Sequence, residues 1–213
     1  MTRRYLICPL VHPAAIVRGA WELEPAQVSY LQRVLRHLRE GTEPTLTDVS
    51  QPPPGAKLYA SVNDLYQLFG ECRRLGAVSV DIENAGRWLI CVGWTPVSLE
   101  TGEVGAPVCL RIRLKGGGQF WRRDEDLREV VEVVGLLLGD PTVAKVFHNF
   151  LHDVTVLEDH GWPVAGRIVD TMTLAHLAYS EHPKGLQWTS TLYLGASYWK
   201  RLVKVDDEEE GKG

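Results

Sequence analysis

Val78-Ser79-Val80-Asp81-Ile82-Glu83 sets two carboxylates at i and i+2 near the end of an alternating apolar run. In a strand that spacing puts both side chains on one face, with Cα atoms roughly 6.5 Å apart at about 3.3 Å per residue. Two like charges held together in a half-buried sheet cost free energy unless a cation neutralises them. Hard carboxylate oxygens favour Mg²⁺ or Mn²⁺ for that role. The plainer alternative is that Asp81 and Glu83 close the strand and face solvent. A third acid, Asp153, ends the run Val146-Phe147-His148-Asn149-Phe150-Leu151-His152-Asp153, which passes from a buried strand into a helix start. From the first helical turn Asp153 can point back toward the sheet edge where the other two acids emerge. It can equally serve the helix dipole, with Asn149 as the helix cap.

The elements that must position these acids follow from periodicity and breakers. Residues 1–41 form an appendage: a short strand (Tyr5–Val11), a turn at His12-Pro13, and a helix from Glu24 to Glu40 with Val28, Leu31, Val34, Leu35 and Leu38 on its apolar period. Residues 42–56, ending in Pro52-Pro53-Pro54-Gly55, read as a Pro-rich linker. The main domain spans 57–200. It opens with a strand at Lys57–Val62 and a helix capped by Asn63. Strands at Ala77–Ile82, Trp88–Trp94 and Val108–Leu114 are separated by turn residues and should be sequential and antiparallel. A helix from Asp124 to Leu138 follows, then a strand at Val143–Phe147, a helix over 150–160, a strand at Arg167–Val169 and two last helices reaching Leu194. The expected class is α/β, a mixed sheet of about five strands flanked by helices. Residues 201–213 are an acidic tail.

The net charge of −4 gives no global reason to bind a polyanion. Local cations exist in two stretches: Arg111, Arg113 and Lys115 running into Arg122 and Arg123, and Lys184 with Lys200, Arg201 and Lys204. Either can also be a solvated face. No apolar run is long enough for a membrane span, and no secretion signal is expected from the first residues. Cys8, Cys72, Cys91 and Cys109 show no paired spacing. Neither a zinc site nor a disulfide framework is expected, and a reducing, cytoplasmic setting fits.

Asp81-Ile82-Glu83 followed by Ile90-Cys91-Val92-Gly93-Trp94 resembles the first motif of DEDD-type 3′-5′ exonucleases, particularly the proofreading domains of family A and phage-type DNA polymerases. His148-Asn149-Phe150-Leu151-His152-Asp153 is similar to their second motif, with His152 where the family usually has an aromatic residue. Val169-Asp170-Thr171-Met172 and Pro183-Lys184-Gly185-Leu186 resemble the segment that follows. The resemblance implies a ribonuclease H-like exonuclease fold and hydrolysis of single-stranded DNA from its 3′ end to nucleoside monophosphates. Under it Asp81 bridges two Mg²⁺ or Mn²⁺ ions, Glu83 holds the ion that activates water, and Asp153 holds the other. Asn149, Phe150, His152 and Lys184 would lie near the substrate, with Trp88 and Trp94 as stacking candidates set against an ordinary core reading. Asp170 is assigned to capping the helix it begins.

The family's third motif, a Tyr or His with the fourth metal-binding Asp, has no counterpart after residue 170. Asp206 or Asp207 could substitute if the tail folds back. His12-Pro13-Ala14-Ala15-Ile16-Val17-Arg18 resembles the late His-Pro motif of uracil-DNA glycosylase-like domains, without the motifs that activity needs. Two functions therefore stand at this point, with an RNA-directed nuclease on the same core as a third possibility. One is an active exonuclease. The other is a catalytically impaired DNA-binding or proofreading subunit completed by a separate polymerase chain.

Overall fold

In the computed structural model, which describes residues 24–42, 52–86, 88–114, 118–180 and 182–194, β1 (Ala77–Ala85) is the middle strand of a five-stranded sheet. Its alternation decides its faces: Val78, Val80 and Ile82 are buried, while Ser79, Asp81 and Glu83 are open. The order is β3-β2-β1-β4-β5. β2 (Trp88–Val97) and β3 (Val108–Arg111) are antiparallel; β4 (Ala144–Phe147) and β5 (Ile168–Asp170) run parallel to β1. A tight turn suffices for the antiparallel pair β1–β2, whereas parallel neighbours require helical crossovers. The α/β class and the mixed five-stranded sheet are as the sequence pattern requires.

The strand expected at Lys57–Val62 is absent; Lys57 makes only an isolated bridge to Val108. Local polar chemistry starts a helix there instead. Ser61, not Asn63, caps α2 (Val62–Leu75): its hydroxyl accepts from the Asp64 amide, and Asp64 Oδ2 accepts from the Ser61 amide at 2.9 Å. That reciprocal pair is a capping box. Leu65, Leu68 and Cys72 of α2 join Val130, Val133, Val134, Leu137 and Leu138 of α3 (Asp124–Gly139) against the inner face of the sheet. Leu157 of α4 (Phe150–Asp159) completes this core. α5 (Thr171–Ala178) follows β5 directly.

Lys145 is fully buried, and its ammonium donates to the carbonyls of Asp140 at 2.5 Å and Ala165 at 2.9 Å. It ties the α3–β4 turn to the loop before β5. Gly166 lies in that loop at φ +86, and a Cβ there would stand 2.9 Å from the Pro141 carbonyl oxygen. Backbone conformation and space both demand glycine. Gly166→Ala is expected to destabilise the chain by about 2 kcal/mol or more, read as a lowered urea midpoint at unchanged slope.

Residues Pro52–Leu174 form one compact unit, which contains the whole sheet. A second unit gathers the residues before and after it, and includes α1 (Glu24–Glu40) and α6 (Leu186–Leu194). The expected α1 boundaries are those observed, although Val28, Leu31, Leu35 and Leu38 are exposed. The strand at 5–11, the His12-Pro13 motif and the tail lie outside the described residues.

Candidate active site

The three acids come from two elements whose local conformations bring them into electrostatic contact. Asp81 and Glu83 project from the open face of β1. Asp153 sits in the first turn of α4 and is only 5% exposed, with Oδ2 bonded to nothing among the described residues. Burial, followed by the charge of Asp81, pushes its carboxyl up to about 6; Asp170 and Glu83 add to the rise and His152 opposes it. Glu83 is raised by desolvation first and by Asp81 second. Asp81 is also raised by desolvation, against the Ile82 amide and His148. Asp81 and Glu83 count as exposed residues, yet the surrounding protein strips enough water from their carboxyls to disfavour the charged forms.

The turn that aims Asp153 is strained. Asn149, just before α4, has φ 75 and ψ 57, the left-handed region, and among the described residues it is the one non-glycine there. Such a conformation costs of order 1–3 kcal/mol and persists only where surrounding bonds impose it. Asp170 supplies them: Oδ1 accepts from the Asn149 amide at 2.8 Å and the Met172 amide at 3.1 Å, and Oδ2 from the Thr173 hydroxyl at 2.7 Å. Thr171 Oγ1 donates to the Phe147 carbonyl at 2.9 Å and also meets His148 Nδ1. Asp170 thus caps α5 as expected, and in addition holds the start of α4. Asn149 occupies the cap position of α4, but its side chain makes no capping bond and is exposed.

The far end of α4 is pinned as well. The register of β1 and β2 shifts between Glu83 and Asn84, and beside that shift the Leu89 amide donates to His160 Nε2 at 3.4 Å. His160 Nδ1 faces the Val156 carbonyl at 2.7 Å, which assigns the proton to Nδ1. His152 Nε2 meets Asn84 Oδ1 at 3.3 Å, beside Glu83. The sequence pattern singled out neither Asn84 nor His160; both are brought in by contacts between separate elements.

The other expected site residues divide. Phe150 is half-buried and packs on the core. Trp94 is 1% exposed and belongs to the core outright, so it is not a stacking residue. Trp88 is 42% exposed and lies under the Arg113 guanidinium, 4.4 Å from its ring centre. Lys184 belongs to the second unit, and Asp206 and Asp207 lie outside the described residues. Cys91 stands opposite Glu83 in the ladder and hydrogen-bonds Cys109, an adjacency that sequence spacing hid. Both thiols are free. The Cys91 contact, helped by Arg111, pulls the Cys109 thiol down to about 7.

An all-oxygen donor set with a buried, partnerless carboxylate oxygen suits a hard divalent cation. As placed, no three His, Cys, Asp or Glu side chains among the described residues form a closed ligand cluster. Asp81, Glu83 and Asp153 are the residues that would hold such a cation, and their carboxylates would have to turn toward one another to do so.

No family model and no curated protein matches the chain. Solved structures do. The chain is similar to Escherichia coli RNase D, described as an exoribonuclease involved in structured RNA processing, at 19% identity over 66% of this chain and 34% of that one, with a TM-score of 0.47. It is similar to Brucella melitensis NrnC bound to pGG, at 20% identity over 59% of this chain and 55% of that one, TM-score 0.43. A third is the EXD2 exonuclease domain soaked in Mn and GMP, at 20% identity over 65% of this chain and 69% of that one, TM-score 0.39. The chain therefore spans about a third of the RNase D chain and about half of the NrnC chain. No helix among the described residues is long and apolar enough to cross a membrane.

Proposed function

We propose that this chain is a metal-dependent 3′-5′ exonuclease that hydrolyses single-stranded nucleic acid, DNA first among the candidates, to nucleoside monophosphates. The observation that carries the reading is Asp153: a buried carboxylate with an oxygen that has no partner among the described residues, its charge opposed by Asp81 and Glu83. Among the described residues no lysine or arginine forms an ion pair with any of the three. Protein folding alone has no reason to collect such charges, and a divalent cation removes the penalty.

Asp81, Glu83 and Asp153 would hold Mg²⁺ or Mn²⁺. Bound there, the metal supplies an activated water and stabilises developing charge on the leaving oxygen. The chain's own residues do the positioning. Asp170 and Thr171 fix the Asn149 turn, the turn sets the direction of Asp153, and His160 anchors the other end of the same helix. Exposed His152, which bears on Asp153, and exposed Asn149, four residues before Asp153, are the side chains assigned to the terminal nucleotide in this reading. The motif resemblance around Asp81 and Asp153 supports the direction of attack.

One observation favours the second reading, a binding subunit completed by another chain. The further acid that bears on Asp153, Asp170, has both oxygens committed to capping, so the described residues offer no evident fourth ligand. One assay separates the two readings. The purified chain is incubated with 5′-labelled single-stranded DNA or RNA, with Mg²⁺ or Mn²⁺ and with chelator. A metal-dependent ladder of shortened products is expected. No product with either metal on either strand would sink the exonuclease reading.

A further inference from the structure

Glu83 pairs with Cys91 across the β1–β2 ladder, and Cys91 pairs with Arg111 across β2–β3. These residues form one row perpendicular to the strands. The alternation of β1, β2 and β3 sets all of them on the open face. Two strand spacings of about 4.8 Å put the Arg111 backbone roughly 10 Å from that of Glu83. Arg111 is held there: its Nε donates to the Arg113 carbonyl at 3.2 Å, and its own carbonyl accepts from Trp121 Nε1 at 2.9 Å. Trp88 pairs with Ala85, two residues beyond Glu83 on the same face, and carries Arg113 on its ring. Arg113 Nε is buried and finds no acceptor among the described residues.

Lys57, Arg73, Arg74 and Arg123 each pair with a carboxylate. Among the described residues neither Arg111 nor Arg113 does so. Among the described residues Arg122, Arg128 and Arg167 also pair with no carboxylate; what sets this region apart is that two such arginines stand together beside an exposed aromatic ring. In a chain of net charge −4, two arginines without acid partners beside an exposed tryptophan form a local site for a ligand that is anionic and aromatic at once. Arginines that track phosphates, interleaved with aromatic rings that stack bases, are how proteins grip single strands without reading sequence.

We propose that Arg111, Arg113 and Trp88 form a track for single-stranded nucleic acid leading away from the acid site. Arg111 takes a backbone phosphate upstream of the terminal phosphodiester, and the Arg113–Trp88 pair supports a base. The direction of the track rests on the exonuclease reading; the binding surface itself does not.

The test is fluorescence anisotropy of a 5′-fluorescein oligo(dT) and a 5′-fluorescein oligo(rU) with the full chain, in Ca²⁺ and again in EDTA, across a salt series. Arg111→Ala is expected to weaken binding about fivefold or more and to lower the salt slope by about one. Trp88→Ala should weaken it about tenfold with the slope unchanged. Arg111→Lys should recover part of the loss, because a phosphate accepts any cation. Arg74→Ala, whose cation is already paired with Glu71 and Glu103, should bind as the parent does. Far-UV circular dichroism and melting temperatures check that every variant is folded. If folded Arg111→Ala and Trp88→Ala bind within twofold of the parent while the parent still shortens oligonucleotides, the track is wrong and the exonuclease reading stands. If they bind weakly but the parent never cuts, the track survives and the exonuclease reading falls. Binding of neither oligonucleotide by the parent overturns the track.

Discussion

Asp81→Ala is expected to keep its fold and to lose metal-dependent shortening of a labelled oligonucleotide by about 10³-fold or more. Asp81 is the acid that the other two feel: it is the first charge raising Asp153 and the charge raising Glu83. It is also open rather than packed in the core, so truncation leaves no cavity. Removing it relieves repulsion, and the metal-free variant should melt no lower than the parent. Single-turnover assays in Mg²⁺ and Mn²⁺, with melting curves run alongside, measure both effects. A variant that cuts at the parent's rate removes Asp81 from the metal site. A variant that fails to cut because it is unfolded is recognised by its melting curve, and Asp81→Asn then repeats the test with the side chain's volume retained.

The second large effect is on stability. Asp153→Asn should stabilise the metal-free chain at pH 8 by up to about 3 kcal/mol while abolishing activity. Burial and Asp81 raise the Asp153 carboxyl from 3.8 to about 6. In the unfolded chain the group ionises near its ordinary value, so between pH 4 and about 6 the native state binds more protons than the unfolded one. Stability from this group therefore falls as pH rises through that window. The whole cost is present above it. Asp64 and Asp140 work in the opposite sense: their carboxyls are lowered to about 2, and they lose stability as pH falls below 4 toward 2. The parent's curve alone mixes these contributions. The difference between the parent and Asp153→Asn cancels the shared ones. Urea midpoints from pH 4 to 8 should show a difference that grows with pH and levels off above about 6. Added Mg²⁺ should raise the parent's midpoint at pH 8 and leave the variant's unchanged. A difference flat across pH would mean that Asp153 carries no buried charge, and the argument for a cation there would go with it.

Much of this was legible in the chain itself. The alternation of Val78, Val80 and Ile82 with Ser79, Asp81 and Glu83 declared a strand with an acidic outer face, because residues two apart in a strand must share a side. The turn residues after each strand predicted the antiparallel trio. The apolar run before Asn149 placed Asp153 in a helical first turn. These are local statements, settled by spacings within a few residues.

What the sequence could not state is which surfaces meet. Trp94 and Trp88 differ by six places and look alike as aromatic residues, yet one is sealed in the core and the other stays on the surface. Only the packing of α2 and α3 on the sheet's inner face decides that. Cys91 and Cys109 are distant in sequence and adjacent in space, because register between strands is set by the hairpin as a whole. The Asp170 bonds to the Asn149 turn, and the Leu89 amide's bond to His160, arise where separate elements converge. The sequence alone determined which acids exist and the elements that carry them. The tertiary structure decided that one of them is buried, repelled by its neighbours and without a cationic partner among the described residues, since burial and repulsion belong to the space between elements.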